Sequence, residues 1–223
     1  NGTLLRTSQV IEEVISPRFK PRVAVLSGPT FAREVALGEP AAVAIASHDE
    51  SLAQAIQEAF SGRTFRLYTN RDPIGVEVGA SLKNVIAIAA GICHGLGIGS
   101  NARAALITRG LAEITRLAVA MGGSPLTLSG LAGLGDLVLT CTGDLSRNRH
   151  VGLELAKGRK IEEIVSGMRM VAEGVQTTYA AMDLARKFSV DLPITQQMEA
   201  ILRGTQSPGQ ALRELMDRSL KEE

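Results

Sequence analysis

The sequence predicts a small α/β sheet followed by an all-helical domain. Helix and strand patterns alternate with short connections over residues 1–69, which is typical of an open α/β sheet. Strand patterns stop at Asn70-Arg-Asp-Pro73, and only helical patterns follow. With 223 residues, 45% of them hydrophobic, the chain can bury a full core in one or two domains. We therefore predict an α/β domain at 1–72 and a helical domain at 73–223.

In the first predicted domain, prolines and glycines separate the elements. Pro17 and Pro21 end the first helix, because proline cannot continue a helix interior. The strands are short apolar or alternating runs of the kind that pack in a sheet. Since three strands are few for an independent α/β domain, we expect the first part of this sheet to lie upstream of Asn1. The predicted elements are helix 3–15, strand 22–26, helix 31–37, strand 41–46, helix 49–60 and strand 64–68.

In the second predicted domain, capping residues and glycines mark the helix ends. Asp72 and Ser207 each precede a proline, which suits a capping side chain followed by proline at the first helical position. Gly122-Gly123 closes the second helix, and the stretch from 130 to 143 is rich in glycine. The predicted helices span about 74–92, 101–121, a short one from 125, 147–157, 161–167, 173–188, 194–203 and 208–221.

Composition argues against several function classes. A formal net charge of +1 disfavours a general nucleic-acid or membrane surface, and 3% aromatic residues without Trp disfavour base stacking. Cys93 and Cys141 are too few for a disulfide scaffold, so a reducing cytoplasm fits. The most apolar window, 84–102, is interrupted by glycines and polar residues, so no membrane span is predicted. No metal site is predicted either, since ligand spacing is absent from His48, His94 and His150.

Lys83 is the residue that most needs an explanation. It lies with Asn84 near the middle of a predicted helix whose other positions, from Val76 to Ile92, are almost all small or apolar. A buried ammonium group is costly unless an opposite charge pairs with it. Two interpretations stay open from this stretch alone: a lysine whose head reaches water from an exposed edge, or a lysine held inside for its chemistry.

Asp136 is the candidate partner for that lysine. It lies among glycines and aliphatic residues in Gly133–Thr140, where a carboxylate needs a compensating group. Thr140, four residues later, shares a face with it if the segment is helical. The alternative is an aspartate that caps a helix after a glycine turn.

Two further segments could bind an anion. Ser27-Gly-Pro-Thr-Phe-Ala32 joins a strand to a helix, so its backbone N–H groups could face an anion or a cofactor edge; the alternative is an ordinary turn. Ser146-Arg-Asn-Arg149 places two cations at the positive end of a predicted helix, which is unfavourable alone but favourable if a phosphate binds there. The alternative for this second segment is a pair of solvated arginines.

These segments, taken together and in this order, resemble the bacterial-type NAD(P)-dependent sn-glycerol-3-phosphate dehydrogenases. The likeness covers essentially the whole chain. The stretches that carry it are Ser27-Gly-Pro-Thr-Phe-Ala-Arg-Glu34, Gly79-Ala-Ser-Leu-Lys-Asn-Val85, Asn101-Ala-Arg-Ala-Ala-Leu-Ile-Thr-Arg-Gly110, the run from Gly130 to Thr142, Ser146-Arg-Asn-Arg149 and Val171-Ala-Glu-Gly174.

The resemblance implies a partial Rossmann-type α/β domain, then an all-α domain of the 6-phosphogluconate dehydrogenase C-terminal type. It implies reversible hydride transfer between dissociable NAD or NADP and dihydroxyacetone phosphate, giving sn-glycerol 3-phosphate for glycerophospholipid synthesis. Lys83 would be the general acid/base. The other implied roles are orientation of that lysine by Asp136, Asn84 and Thr140, substrate binding by Gly28, Thr30, Lys83, Asp136, Ser146, Arg147 and Asn148, and cofactor contacts from Ala32, Arg147, Val171 and Glu173.

One departure from the family limits these expectations. The family's Gly-rich dinucleotide fingerprint would lie upstream of Asn1, with the residue that selects NAD or NADP. We therefore expect this chain by itself to bind NAD(P) poorly and to be inactive. The resemblance also implies a cytoplasmic homodimer without nucleic-acid partners.

Two other functions stay open. A related 3-hydroxyacid dehydrogenase would share Gly79 four residues before the lysine, but that group has Asn where Ala87 stands. The second alternative is a non-catalytic helical module that binds a phosphorylated metabolite.

Overall fold

A computed structural model describes residues 3–168 and 170–220. Parts of the two predicted domains, at 1–2, 169 and 221–223, lie outside the described residues, and so does the predicted end of the last helix. The α/β part comprises α1 (Thr7–Ile15), β1 (Val25–Ser27), α2 (Ala32–Ala36), β2 (Ala41–Ala46), α3 (Glu50–Phe60) and β3 (Phe65–Asn70). The helical part comprises α4 (Pro73–Gly95), α5 (Ser100–Ala120), α6 (Pro125–Leu128), a π-helical turn (Leu131–Gly135), α7 (Asp136–Thr142), α8 (Arg147–Ala156), α9 (Ile161–Ser166), α10 (Glu173–Phe188), α11 (Pro193–Leu202) and α12 (Pro208–Met216).

β2 is the central strand of the described sheet, with β1 on one side and β3 on the other. β2 and β3 run parallel, and the crossover between them passes through α3, as a parallel pair requires. β1 runs antiparallel to β2, with Val25 opposite Ala46. The alternating pattern of elements does not specify strand direction, so the mixed pairing was not predicted.

The two faces of the sheet bury different kinds of side chain. One face buries Val43, Ile45 and Leu67 beneath α3. The other presents the short side chains of β2 to Val76 of α4 and Ala132 of the π-helical turn. Because alanine side chains are short, α4 and the turn lie close to this face. The sheet therefore holds the end of β1 beside the helical part.

α4 is the central helix of the helical part. It packs against α5, α7, α8 and α10, and most of its residues are buried. By length and composition alone it could cross a membrane, but 72% of its most apolar window is buried inside the protein. That degree of burial is typical of the core helix of a globular domain. The predicted apolar window 84–102 is not one helix, since α4 ends at Gly95 and α5 begins at Ser100.

Several predicted helix starts are confirmed by their caps. The Asp72 side chain accepts a hydrogen bond from the Gly75 amide, with proline at the first helical position. Asp49 caps α3 by accepting from the Leu52 amide. Ser207 caps α12, again ahead of proline. In each case a short polar side chain satisfies an amide that has no partner within its helix.

Four predicted segments differ most from the structure. The last helix, predicted over 208–221, ends at Met216, and 217–220 are not helical. The first helix begins at Thr7 rather than residue 3, because Leu4 has a left-handed φ of 56° that breaks the helical path. The first strand lies at 25–27 rather than 22–26. The glycine-rich stretch is helical: the π-helical turn and α7 fill it. Gly133 serves close packing there, since a Cβ on it would lie 2.0 Å from the Leu128 carbonyl oxygen.

Candidate active site

Lys83 and Asp136 form an ion pair between α4 and α7. The Lys83 Nζ donates to Asp136 Oδ2 at 2.6 Å, and their side chains are 19% and 3% exposed. Burial raises the pKa of the Asp136 carboxyl above its ordinary value, while the charge and hydrogen bond of Lys83 oppose that shift. The structure thus supplies the charge partner that the sequence required of a lysine in this helix.

Two hydroxyl groups complete the surroundings of the Asp136 carboxylate. The Ser27 hydroxyl, at the end of β1, donates to Oδ2 at 3.2 Å. Thr140 lies one turn along α7, as predicted for a helical segment, with its hydroxyl 2.6 Å from the Asp136 carbonyl oxygen and 3.3 Å from Oδ1. Every oxygen of the carboxylate therefore faces at least one donor.

Asn84, the neighbour of the lysine, is joined to α8 and α10. The Asn148 amide nitrogen donates to Asn84 Oδ1 at 3.0 Å. The Asn148 Oδ1 accepts from the Gly174 amide at 2.9 Å. Asn148 is 4% exposed. The Asn148 side chain thus links α4, α8 and α10 beside Lys83. The sequence did not predict these contacts.

Ser146 is a helix cap, as the sequence predicted. Its hydroxyl accepts from the Arg149 amide at 3.2 Å, and α8 begins at Arg147. The two arginines that follow differ in direction. Arg149 is buried and donates to Asp144 and His94, whereas Arg147 stays 38% exposed and contacts Glu173 Oε1 at 3.1 Å. Only Arg147 therefore keeps an accessible guanidinium for a ligand.

The turn after β1 lies against the segment that carries Asp136. Gly28 approaches β2 so closely that a Cβ on it would lie 2.9 Å from the Val43 Cα. A Cβ on Gly135 would lie 3.7 Å from the Pro29 ring. The Thr30 hydroxyl donates to the Gly28 carbonyl at 3.1 Å, which closes the turn. The predicted substrate segment is thus held beside the ion pair.

The remaining predicted cofactor residues lie at the surface. Ala32 begins α2 and is exposed, and Val171 is 67% exposed ahead of α10. Their contacts with a cofactor stay a prediction. Within residues 3–168 and 170–220 no cluster of three or more His, Cys, Asp or Glu side chains could hold a metal ion.

Two features were missed from the sequence. Ser27 has no role of its own in the predicted turn, although its place at the end of a strand was a signal. The second is Glu77, buried on α4, which accepts from the Ser8 amide at 2.8 Å, from the Ser8 hydroxyl at 2.7 Å and from Arg6. It fastens the start of α1 to α4, and no local pattern joins residues so distant in sequence.

Comparison with family models decides the relationship. Residues 72–213 match the NAD-dependent glycerol-3-phosphate dehydrogenase C-terminus, and residues 1–53 match the corresponding N-terminus. The chain belongs to the NAD-dependent glycerol-3-phosphate dehydrogenase family. The N-terminal match thus ends within α3, and the C-terminal match runs from the residue before α4 into α12.

Named members of the glycerol-3-phosphate dehydrogenase family are similar to this chain over nearly its whole length. The chain is 64% identical over 217 residues to glycerol-3-phosphate dehydrogenase [NAD(P)+] of Koribacter versatilis, covering 97% of this chain and 64% of that protein. For the Syntrophotalea carbinolica enzyme the identity is 58% over 223 residues, covering 100% and 67%. The crystal structure of glycerol-3-phosphate dehydrogenase from Coxiella burnetii superposes with a TM-score of 0.87 at 46% identity, covering 92% of this chain and 64% of that one. The chain thus spans about two thirds of these relatives.

Proposed function

We propose that the protein interconverts dihydroxyacetone phosphate and sn-glycerol 3-phosphate with NAD(P)H or NAD(P)+, and so feeds glycerophospholipid synthesis. The observation that carries the proposal is the Lys83–Asp136 pair, 2.6 Å apart and largely buried, in a chain of this family. A lysine that is paired with a carboxylate and still partly exposed can act as a proton donor to a substrate oxygen that reaches its Nζ. The relatives from Koribacter versatilis and Syntrophotalea carbinolica are named glycerol-3-phosphate dehydrogenase [NAD(P)+], which supports the proposal.

In the reducing direction Lys83 would donate a proton to the carbonyl oxygen that becomes the C2 hydroxyl. NAD(P)H, when bound, supplies the hydride to C2. Asp136 would hold the ammonium in place, and Thr140 would hold Asp136 through the 3.3 Å contact. Asn84 would keep the adjacent backbone of α4 fixed through Asn148. In the oxidising direction Lys83, after losing its proton to solvent, would act as the base.

The phosphate of the substrate would bind at the start of α8. Ser146 and the first backbone amides of a ten-residue helix face this end, and Arg147 adds an accessible cation. Gly28 and Thr30 would close over the substrate from the turn after β1. Asn148 would contribute chiefly by position, because its amide already bonds Asn84 and Gly174.

The cofactor would lie along the exposed side of this site. Arg147 and Glu173 are 38% and 50% exposed and contact each other at the starts of α8 and α10. Ala32 and Val171 are also exposed, so all four positions could meet a dinucleotide. We infer that NAD or NADP dissociates freely, and that the chain by itself binds NADH weakly. Calorimetry on the chain that gave a micromolar dissociation constant would contradict the last point.

Three further properties are proposed from the family likeness. The chain divides at residue 72 into the C-terminal part of a dinucleotide-binding domain and a catalytic helical domain. The protein is a homodimer, which light scattering tests. It is cytoplasmic, which suits two cysteines that are free in the structure; fractionation of the native host tests this location.

The decisive experiment replaces Lys83 with alanine in the full-length gene product. Loss of the proton donor should lower kcat by about 10²- to 10⁴-fold, with an unchanged thermal unfolding profile as evidence of folding. Lys160→Ala, at an exposed position before α9, is the matched control and should retain full activity. Near-normal turnover of dihydroxyacetone phosphate by Lys83→Ala would reject the assignment. If the unchanged enzyme preferred a non-phosphorylated hydroxyacid to dihydroxyacetone phosphate, a 3-hydroxyacid dehydrogenase would be favoured instead.

A further inference from the structure

The Ser27 hydroxyl shares one carboxylate oxygen with the proposed proton donor. Asp136 Oδ2 accepts from Lys83 Nζ at 2.6 Å and from Ser27 Oγ at 3.2 Å. The two donors come from different parts of the fold, since Lys83 lies on α4 and Ser27 is the last residue of β1. Ser27 is thus a direct link between the sheet and the ion pair.

The direction of the Ser27 side chain is fixed by the sheet. Ser27 lies opposite Ala44 of β2, and side chains two residues apart on a strand share a face. Val25 packs with Ala44 and Ala46 on the face that meets α4 and the π-helical turn. Ser27 projects from this same face, and its neighbour Gly28 is pressed against Val43. The hydroxyl therefore has little freedom to leave Asp136.

We propose that Ser27 is a positioning residue, which orients the Asp136 carboxylate toward Lys83 and ties that pair to the Gly28–Thr30 turn. The inference rests on the proposed function, because it assigns Ser27 a part in the same proton transfer. Thr140 holds Oδ1 from within α7, and Ser27 holds Oδ2 from the sheet. With Lys83 and Ser27 both donating to Oδ2, rotation of the carboxylate away from the ammonium would break two hydrogen bonds. The turn that would close over the substrate then keeps a fixed distance from the proton donor.

The hydrogen bond from Ser27 also affects the charge state of the Asp136 carboxyl group. Donation to a carboxylate favours its charged form, so the Ser27 hydroxyl lowers the pKa of Asp136 against the larger effect of burial. Among the described residues, the charge that acts on Asp136 is that of Lys83. The Cys141 thiol also lies near Lys83, but burial raises its pKa to about 12, so it stays neutral in an ordinary assay. Without the Ser27 hydroxyl, the charged form of Asp136 would be less favoured, and Oδ2 would be held toward Lys83 by one donor fewer.

The test is the turnover of dihydroxyacetone phosphate by Ser27→Ala in the full-length gene product. We expect kcat for reduction to fall about tenfold, with KM within about twofold, because the lost bond is to a charged group outside the substrate. Ser27→Thr keeps the hydroxyl and suits a strand, so it should restore kcat.

Ser47→Ala is the matched control. Ser47 is buried at the end of β2, where its hydroxyl donates to the Val23 carbonyl at 2.8 Å. This change removes that bond and the acceptor of the Asp49 amide without touching Asp136, so kcat should stay as in the unchanged enzyme.

The outcomes separate the inference from the proposed function. If Lys83→Ala is inactive but Ser27→Ala keeps its kcat, the positioning role is rejected and the function stands. A lower kcat that Ser27→Thr does not restore would also overturn it and leave a merely structural serine. If Lys83→Ala is fully active, the proposed function itself fails.

Discussion

At the scale of single residues, each buried charged side chain within 3–168 and 170–220 is matched by donors or by an opposite charge. Lys83 has Asp136. Glu113, 1% exposed, accepts from the Ile194 and Thr195 amides at 2.5 and 3.1 Å, and so caps α11 from a distant helix. Burial raises the pKa of Glu113 despite these bonds. Isolated burial of such groups would cost several kcal/mol, and these contacts are what offsets it.

Thiol reactivity gives a residue-scale prediction on the chain itself. Burial raises the pKa of Cys141 to about 12 and that of Cys93 above its ordinary value, and the thiolate is the reactive form. We expect neither thiol to be alkylated by iodoacetamide at pH 8 in the folded chain, while both react fully in urea. Mass spectrometry of the labelled chain measures this directly. Rapid labelling of Cys141 in the folded chain would show that its surroundings are open.

At the scale of elements, α4 shows how small residues let helices approach one another. A Cβ on Gly91 would lie 2.0 Å from the Arg149 carbonyl oxygen, and one on Gly152 would lie 2.0 Å from the Ile88 carbonyl oxygen. The glycines of α4 and α8 thus face each other's backbones. This close approach carries Asn148 to within hydrogen-bonding distance of Asn84. Packing of two helices, rather than a loop, therefore builds this side of the site.

Gly91→Ala tests that packing. Alanine normally favours a helix interior over glycine, but here the added methyl group collides with backbone, and overpacking costs about 1–3 kcal/mol. We expect the free energy of unfolding in urea to fall by about that amount.

The control is Gly209→Ala in α12, where an added Cβ meets only the Arg213 side chain at 3.8 Å. That change should leave stability unchanged or raise it by up to about 1 kcal/mol. Equal stability of the two variants would mean that α4 and α8 can separate without cost.

At the scale of the whole molecule, ion pairs in both parts of the fold set its acid stability. Hydrogen bonds from Ser51, Leu52 and Arg22 lower the pKa of Asp49 in the α/β part from 3.8 to about 2. Those from Lys157 and Arg159 lower the pKa of Glu154 in the helical part from 4.5 to about 2. A lowered pKa gives stability that is present above the unfolded value and is lost as pH falls toward the folded one.

The chain should therefore lose stability between pH 4.5 and about 2 as these groups take up protons. Glu154→Gln should make the urea midpoint depend less on pH in this window, because one of the two titrations is removed. Glu58→Gln, a change on the exposed face of α3, is the control and should leave the slope as in the unchanged chain. If the urea midpoint of Glu154→Gln depended on pH as steeply as that of the unchanged chain, the lowered pKa assigned to Glu154 would be contradicted.

The sequence by itself determined the order of elements, most helix ends and the segments of the candidate site. These follow from local physics: apolar periodicity, capping by Asp72 or Ser207, and a lysine too costly to bury alone. Tertiary structure alone decided the antiparallel β1, the helical path of the glycine-rich stretch, and the contacts of Asp136 with Ser27 and of Asn148 with Asn84. Such contacts join residues 64 and 109 positions apart, and their geometry depends on how closely whole elements pack, which no local pattern records.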